Sequence, residues 1–254
     1  MIFRHCSIGG RIYMGEDVVQ AEPTRKEDEP VTDSTAIDAE HPTNSSTPSV
    51  GQTTTVSNDV NVSQFYCSQL MQDIAQSLHA DPDSEYAAHA RNLNGFFTVL
   101  ALCHTVLTSV DPATGKILYK AQSPDEAALV KAAADCGYVF KGRDREILSL
   151  QKPSAAGEET LPVEKYELLN ILEFTSSRKR MSVVVRRLDS QDSRVFLLTK
   201  GADSVIFERL RPGIDDTLRE MTEMHLSEFA NGGLRTLTLG YKIVPGQCIL
   251  CLRR

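Results

Sequence analysis

Five short runs rich in branched and aromatic residues, at 138–140, 145–150, 166–174, 181–187 and 194–199, follow one another along the chain, most of them separated by polar or Gly-containing turns. Runs of this length and spacing pair with their sequence neighbours, which predicts consecutive antiparallel hairpins. Helical patterns lie before and after the runs rather than between them. Strict β-α-β alternation is therefore missing, and a doubly wound dinucleotide-binding sheet is excluded. The expected class is α+β, an antiparallel sheet flanked by helices.

The helical patterns place the rest. Phe65, Met71, Ile74 and Leu78 recur at helix-like spacing over 65–78, and Phe96, Phe97, Leu100 and Leu107 give a second helix, over about 93–109, a wide apolar face. A third helix has a full start signal: Ser123 as N-cap, Pro124 at the first position and Glu126 three residues after the cap, completing a capping box, with Gly137 as the left-handed stop. Two more helices are expected at about 203–210 and 215–231, the latter stopped by Gly232 and Gly233, and a last strand at 234–241 carries Leu237 and Leu239.

One segment resists this reading. Between Tyr13 and Phe65 there is no aromatic residue and no leucine, and Pro, Ser, Thr, Asp and Glu crowd residues 17–63. Too little apolar surface is available there to offset the entropy of ordering, so a disordered insertion is expected, either a tolerated surface loop or a regulatory tail. The 254 residues otherwise suffice for one domain with a substantial core and a small second one.

Charge and cysteine content narrow the function classes. With 27 basic and 34 acidic residues the net charge is -7, which disfavours nucleic acid as a partner because that needs a basic footprint. Of the 6 cysteines, Cys248 and Cys251 alone have C-x-x-C spacing and there is no second pair, so no metal site is expected and the thiols read as reduced. The N-terminus lacks the pattern of a signal peptide. The most apolar stretch, 95–107, falls short of the roughly 20 residues that span a bilayer, so the chain by itself is expected to be soluble and the sequons at Asn44 and Asn61 to carry no meaning.

No Walker A loop, G-x-G-x-x-G, H-E-x-x-H or G-x-S-x-G is present. What remains is a set of basic residues beside strands: Arg178, Lys179 and Arg180 just after Phe174, and Lys200 followed by Gly201 at a strand end. Lys200 could deliver an ammonium to a phosphate there, with Gly201 allowing a close backbone approach. Charge runs usually face water, so on the residues alone a solvated basic turn remains the plain reading, with Phe174 in the core and Glu126 a capping residue.

Four strings in register, SPDEAALV (Ser123 to Val130), EFTSSRKRMSVVV (Glu173 to Val185), LLTKGADSVIFERL (Leu197 to Leu210) and GLRTLTLGYK (Gly233 to Lys242), favour the ligand site. With FFTVLALCHTV (Phe96 to Val106) and the opening MIFRHCSIGG, they resemble the nucleotide-binding N domain of P-type ATPases, and specifically the type IV phospholipid flippases. The resemblance implies an ATP site in which Phe174 stacks on adenine, Lys179 lies beside the nucleotide and Lys200 stands at the inner end of the pocket. It implies also that Arg235 reaches the phosphates, Glu126 faces the adenine amino edge and Ser176 takes the family serine position. A cation pump would often have Arg at that last position and Pro-Glu after KGA, where this chain has Ser176, and Asp203 with Ser204.

The same resemblance divides the chain into the start of the N domain at 1–16, the polar insertion at 17–63, the ATP-binding domain at 64–242 and a tail at 243–254 that matches nothing in the family pattern. That tail is expected to mark a truncated gene model or a read-through into non-coding sequence. The D-K-T-G-T phosphorylation motif, the T-G-E-S-like loop and the G-D-G-x-N-D magnesium motif do not occur. The implied cofactor is ATP, with Mg2+ in the full-length enzyme at a site outside this chain. No catalytic residue is expected here, and the chain should bind ATP without turning it over. Phospholipid and the cytosolic face of a membrane would be partners only through other parts of a full-length protein; the alternatives are an interaction module and the N domain of a cation transporter.

Overall fold

A computed structural model describes residues 1–16, 65–154, 161–188, 194–211, 213 and 216–245. The predicted insertion at 17–63 and the Cys248–Cys251 pair lie outside them. The described residues belong to one compact unit, Met1–Val18 with Ser63–Arg254.

The architecture is the expected α+β arrangement. Strands β5 (Val139–Asp144), β6 (Ile147–Gln151), β7 (Val163–Leu172), β8 (Arg180–Arg187), β9 (Val195–Gly201) and β10 (Thr238–Val244) form a six-stranded antiparallel sheet in the order β10-β9-β8-β7-β6-β5. Each strand from β5 to β9 pairs with the next in sequence, as the succession of short runs implies. Helices α1 (Ser68–Leu78), α2 (Tyr86–Leu102) and α3 (Pro124–Asp135) precede the sheet, and α4 (Asp203–Phe207) and α5 (Asp216–Asn231) separate β9 from β10. Leu93, Phe97 and Leu100 of α2 share a buried core with Phe140, Leu148, Leu150, Val183 and Val185 of the sheet. Val184 is buried as well, so β8 is enclosed on both faces.

The ends of several elements differ from the sequence reading. The second helix begins earlier and stops at Leu102, where Cys103 and His104 leave the helical path; His104 Nε2 donates to the Ala101 carbonyl, and its Nδ1 accepts from Val106 N–H. The chain then forms a hairpin, β3 (Leu107–Val110) with β4 (Ile117–Lys120), so Leu107 is an exposed strand residue and not part of the helix face. The turn at Asp111 closes it, with that carboxylate accepting from Ala113 N–H and Thr114 Oγ1. Phe174 lies beyond the end of β7, and the last strand starts at Thr238, four residues later than expected.

The first residues form a hairpin of β1 (His5–Ile8) and β2 (Arg11–Met14), joined by Gly9 and Gly10 at φ 58° and 82°. Two consecutive left-handed residues define a type I′ turn, and an L side chain would be strained at either position. Tyr13 fastens this hairpin to the helices, donating to Asp73 Oδ2 at 2.5 Å while its oxygen lies 2.8 Å from His89 Nε2.

Candidate functional site

Strand register brings the singled-out residues to one end of the sheet. Arg180, the first residue of β8, lies opposite Gly201, the last of β9, and Thr238, the first of β10, lies opposite Gly201 on the other side. The turn that leaves β7 at Leu172 and enters β8 at Arg180 is therefore at the same end as Lys200 and as the loop carrying Arg235.

Phe174 sits in that turn with 60% of its surface exposed, which overturns the core assignment its apolar character alone suggests. The turn holds itself without the ring: Thr175 O accepts from Arg178 N–H at 3.1 Å and from Lys179 N–H at 2.8 Å, and Arg178 Nη1 donates to Glu173 O at 2.8 Å. Lys179 takes a left-handed conformation at φ 49°, a strain of about 1 to 2 kcal/mol for a residue with a Cβ. Its carbonyl accepts from Ala202 N–H at 3.0 Å, pinning the turn to the end of β9. Gly201 makes this fit possible, because a Cβ there would stand 2.6 Å from both Arg180 Cβ and Lys179 O. The close approach that Gly201 allows is thus to the Phe174 turn. Ser176 and Lys179 are exposed on the same turn.

The Lys200 side chain, by contrast, is buried, and its Nζ donates to Glu126 Oε1 at 2.9 Å. Glu126 Oε2 accepts from Thr105 Oγ1 at 2.9 Å. The predicted capping box is only half realised: Ser123 Oγ accepts from Asp125 N–H, while the Glu126 carboxylate is drawn to Thr105 and Lys200. Burial pushes the Glu126 carboxyl up, but the Lys200 charge and the bonds from Lys200 and Thr105 outweigh it and hold the group below the usual carboxylate range. Behind this pair, burial pushes the Cys103 thiol up to about 12 and lowers His104 to about 4, the Lys200 charge adding to the His104 effect. His104 is therefore neutral at physiological pH, as its donor at Nε2 and acceptor at Nδ1 require.

Arg235 follows the α5 stop at Gly233, which has φ 76°, and its Nη1 meets Asp125 Oδ2 at 2.5 Å. Two adjacent acidic residues of the first turn of α3 thus hold two basic residues from opposite ends of the α4–α5 excursion. Of the six residues singled out in the sequence, Glu126 and Lys200 touch directly, and Phe174, Ser176 and Lys179 share one turn. Arg235 joins the group through Asp125. The cavity between α4 and α5, bordered by Phe207, Leu210, Arg219 and Glu223, contains none of the six.

Sequence reasoning missed Thr105 and Asp125. Thr105 was hidden inside a helix predicted to continue through 109, whereas Asp125 stands directly before Glu126 and was legible as a first-turn acid. Chemically, the sheet end offers an exposed aromatic face, an exposed cation on the same turn, a second exposed cation on a loop and a buried ammonium with its counter-charge.

A six-stranded antiparallel sheet flanked by helices thus gathers aromatic and cationic groups at one end. Residues 92–249 match the family described as P-type ATPase, cytoplasmic domain N. The chain belongs to the P-type ATPase family. It is 36% identical over 244 residues to the probable phospholipid-transporting ATPase IM of Homo sapiens, covering 95% of this chain and 17% of that protein. It is 48% identical over 153 residues to the probable phospholipid-transporting ATPase 11 of Arabidopsis thaliana, covering 60% of this chain and 12% of the relative. To the phospholipid-transporting ATPase dnf2 of Schizosaccharomyces pombe it is 43% identical over 175 residues, 69% of this chain and 11% of the relative. The chain thus spans less than a fifth of the length of these relatives. No described helix is long and apolar enough to cross a membrane.

Proposed function

We propose that this chain is the ATP-binding domain of a phospholipid-transporting P-type ATPase, whose whole protein couples ATP hydrolysis to the movement of lipid between membrane leaflets. The observation that carries the reading is the exposed Phe174 on a self-supporting turn at the sheet end where Lys200 and Arg235 also lie. Adenine stacks on the Phe174 ring, with Ser176 beside it. Lys179 lies beside the nucleotide on the same turn, and Arg235 reaches the phosphates from the second exposed loop. Lys200 and Glu126 close the inner end of the pocket as a pair, the Glu126 carboxylate facing the adenine amino edge and the Lys200 ammonium balancing its charge.

A stacked base is worth about 1 to 3 kcal/mol and a hydrogen bond to a charged group about 1.5 to 3 kcal/mol, which together support modest affinity. Phosphoryl transfer needs a positioned acceptor and a metal clamp, and the motifs that would supply them do not occur in this sequence. Binding without turnover is accordingly the activity assigned to the chain, with Mg2+, lipid and the membrane engaged by other parts of a longer protein. The division into 1–16, 17–63, 64–242 and 243–254 belongs to the same proposal. The names of the relatives support the lipid branch over a cation transporter, as do Ser176, Asp203 and Ser204.

Titration of the purified chain with ATP tests the reading. Saturable binding in the millimolar range or tighter, weakened in Lys200→Glu, is expected. The absence of saturable binding would overturn it, and so would ATP hydrolysis by the chain alone at an appreciable rate. An interaction module would instead bind a protein partner in a manner indifferent to Phe174→Ala.

A further inference from the structure

We propose that Asp125 is a latch for Arg235: it holds the guanidinium while the site is free of nucleotide, and the phosphates take Arg235 from it on binding. The inference rests on the assignment of Arg235 to the phosphates of ATP. It adds a residue that opposes binding and makes discrimination between nucleotides depend on their phosphate charge.

Two ion pairs hold the N-terminal turn of α3, and they differ in kind. Lys200 and Glu126 are 8% and 15% exposed at their side chains, so that pair is enclosed and the bond from Thr105 fixes it further. Arg235 and Asp125 are 73% and 34% exposed. An exposed pair is screened by water and readily exchanged. Asp125 grips Arg235 through Oδ2, while its Oδ1 is buried and has no hydrogen-bond partner among the described residues. The carboxylate therefore bonds on one side only. A guanidinium has five N–H donors, and the high exposure of Arg235 leaves its remaining edge facing solvent, where an incoming phosphate can engage it before the Asp125 bond breaks.

The placement of the loop serves this exchange. Arg235 lies three residues before β10, whose second residue, Leu239, is opposite Lys200 in β9. Release from Asp125 frees a long side chain next to the strand that bears Lys200 and needs no movement of the sheet. Asp125 also carries a negative charge beside the phosphate region, and Arg235 neutralises it in the free state. When Arg235 turns to the phosphates, that charge is uncovered. Triphosphate, which draws Arg235 most strongly, overcomes the latch best, and adenosine does not engage it.

Calorimetric titration of the full chain and its variants with ATP, AMP and adenosine tests the latch. Asp125→Asn is expected to bind ATP about 2- to 5-fold more tightly, the range set by loss of an exposed ion pair, with a smaller gain for AMP and none for adenosine. In an Arg235→Ala background the gain from Asp125→Asn should shrink to what relief of the bare Asp125 charge supplies, because there is no guanidinium left to release. Asp125→Ser, which keeps a favourable first-turn residue, should reproduce the gain if Asp125→Asn proves too unstable to titrate. Unchanged or weaker ATP binding in folded Asp125→Asn and Asp125→Ser, with wild type binding normally, overturns the latch and leaves the ATP site standing. A gain of undiminished size in Arg235→Ala overturns it too, since that result identifies charge repulsion alone. If wild type shows no saturable ATP binding, the ATP assignment falls and the latch with it.

Discussion

Replacing Phe174 by alanine separates binding from folding in a way few aromatic substitutions do. A buried Phe→Ala change costs about 3 to 5 kcal/mol through lost contacts and the cavity left behind. Phe174 keeps 60% of its surface in water, and the hydrogen bonds of its turn come from Thr175, Arg178, Lys179 and Glu173, none of which needs the ring. The stability cost should therefore stay near that of a surface change, about 0.5 kcal/mol, with Tm lowered by no more than about 2 °C. Binding should respond much more strongly. Loss of one base stack, about 1 to 3 kcal/mol, raises the Kd for ATP by about 5- to 150-fold. The stack is common to all adenine nucleotides, so AMP and ATP should lose the same factor, while inorganic tripolyphosphate binds wild type and variant alike; Phe174→Tyr, which keeps the face, should recover most of the loss. Isothermal calorimetry with these three ligands, beside thermal melts followed by circular dichroism, reads every term. An ATP affinity unchanged in folded Phe174→Ala would refute the stacking argument. A Tm lower by more than about 4 °C would refute the claim that the ring is free of the fold, since that shift corresponds to about 1 kcal/mol or more in a domain of this size.

Other consequences follow from the packing around the same sheet end. Lys200→Met breaks the enclosed ion pair and should destabilise by about 3 to 5 kcal/mol in urea melts, less what the Glu126 carboxylate recovers by turning to the Ser123 N–H, and adding Glu126→Gln should return part of that loss. The Glu126 carboxyl is held below its ordinary value of 4.5, so its contribution is complete above that pH and is lost as pH falls through the lower folded value; an acid titration of stability should show this step in wild type and lose it in Glu126→Gln. His104 falls from 6.5 to about 4 in the folded state, so stability should be full above pH 6.5 and decline towards pH 4 by about 3 kcal/mol, with the decline flattened in His104→Asn. Gly201→Ala places a Cβ against Arg180 and the Lys179 carbonyl and should cost about 1 to 3 kcal/mol while weakening ATP binding, because the Phe174 turn must shift; equal affinity in that variant would show that the turn position does not matter.

The sheet was legible in the sequence because its strands follow one another: period, turn residues and length all agree between 138 and 201, and neighbours in sequence became neighbours in space. The boundary at Leu102 was not legible. Leu107 continues the apolar spacing of α2, and the competing signal is the pair of bonds that His104 makes to Ala101 and Val106, which depends on how the side chain is enclosed. Propensity gives little guidance where a single buried imidazole decides the path. The missed hairpin has a readable turn, Asp-Pro-Ala-Thr-Gly at 111–115, but the apolar helical spacing covers the residues before it, through about 109, and hides the first strand.

The site divides along a similar line. Residues that present themselves to solvent, Phe174, Ser176, Lys179 and Arg235, were named through the family strings, because nothing in their local pattern distinguishes a ligand surface from a solvated turn. Glu126 shows why the plainer reading was incomplete. Its position three residues after Ser123 satisfies the capping-box rule, yet a reciprocal cap is worth only about 1 kcal/mol, whereas a buried ammonium left without a counter-charge costs several. The Lys200 side chain is 8% exposed, so the carboxylate within reach is taken by the larger demand, and Ser123 caps the helix alone. The capping box and the ion pair compete for one side chain, and the depth at which β9 sets Lys200 decides between them. This ordering makes a definite claim about the pair: in Lys200→Met the Glu126 carboxylate is released to the Ser123 N–H, and the α3 N-terminus should become more protected in hydrogen exchange even as the domain as a whole becomes less stable.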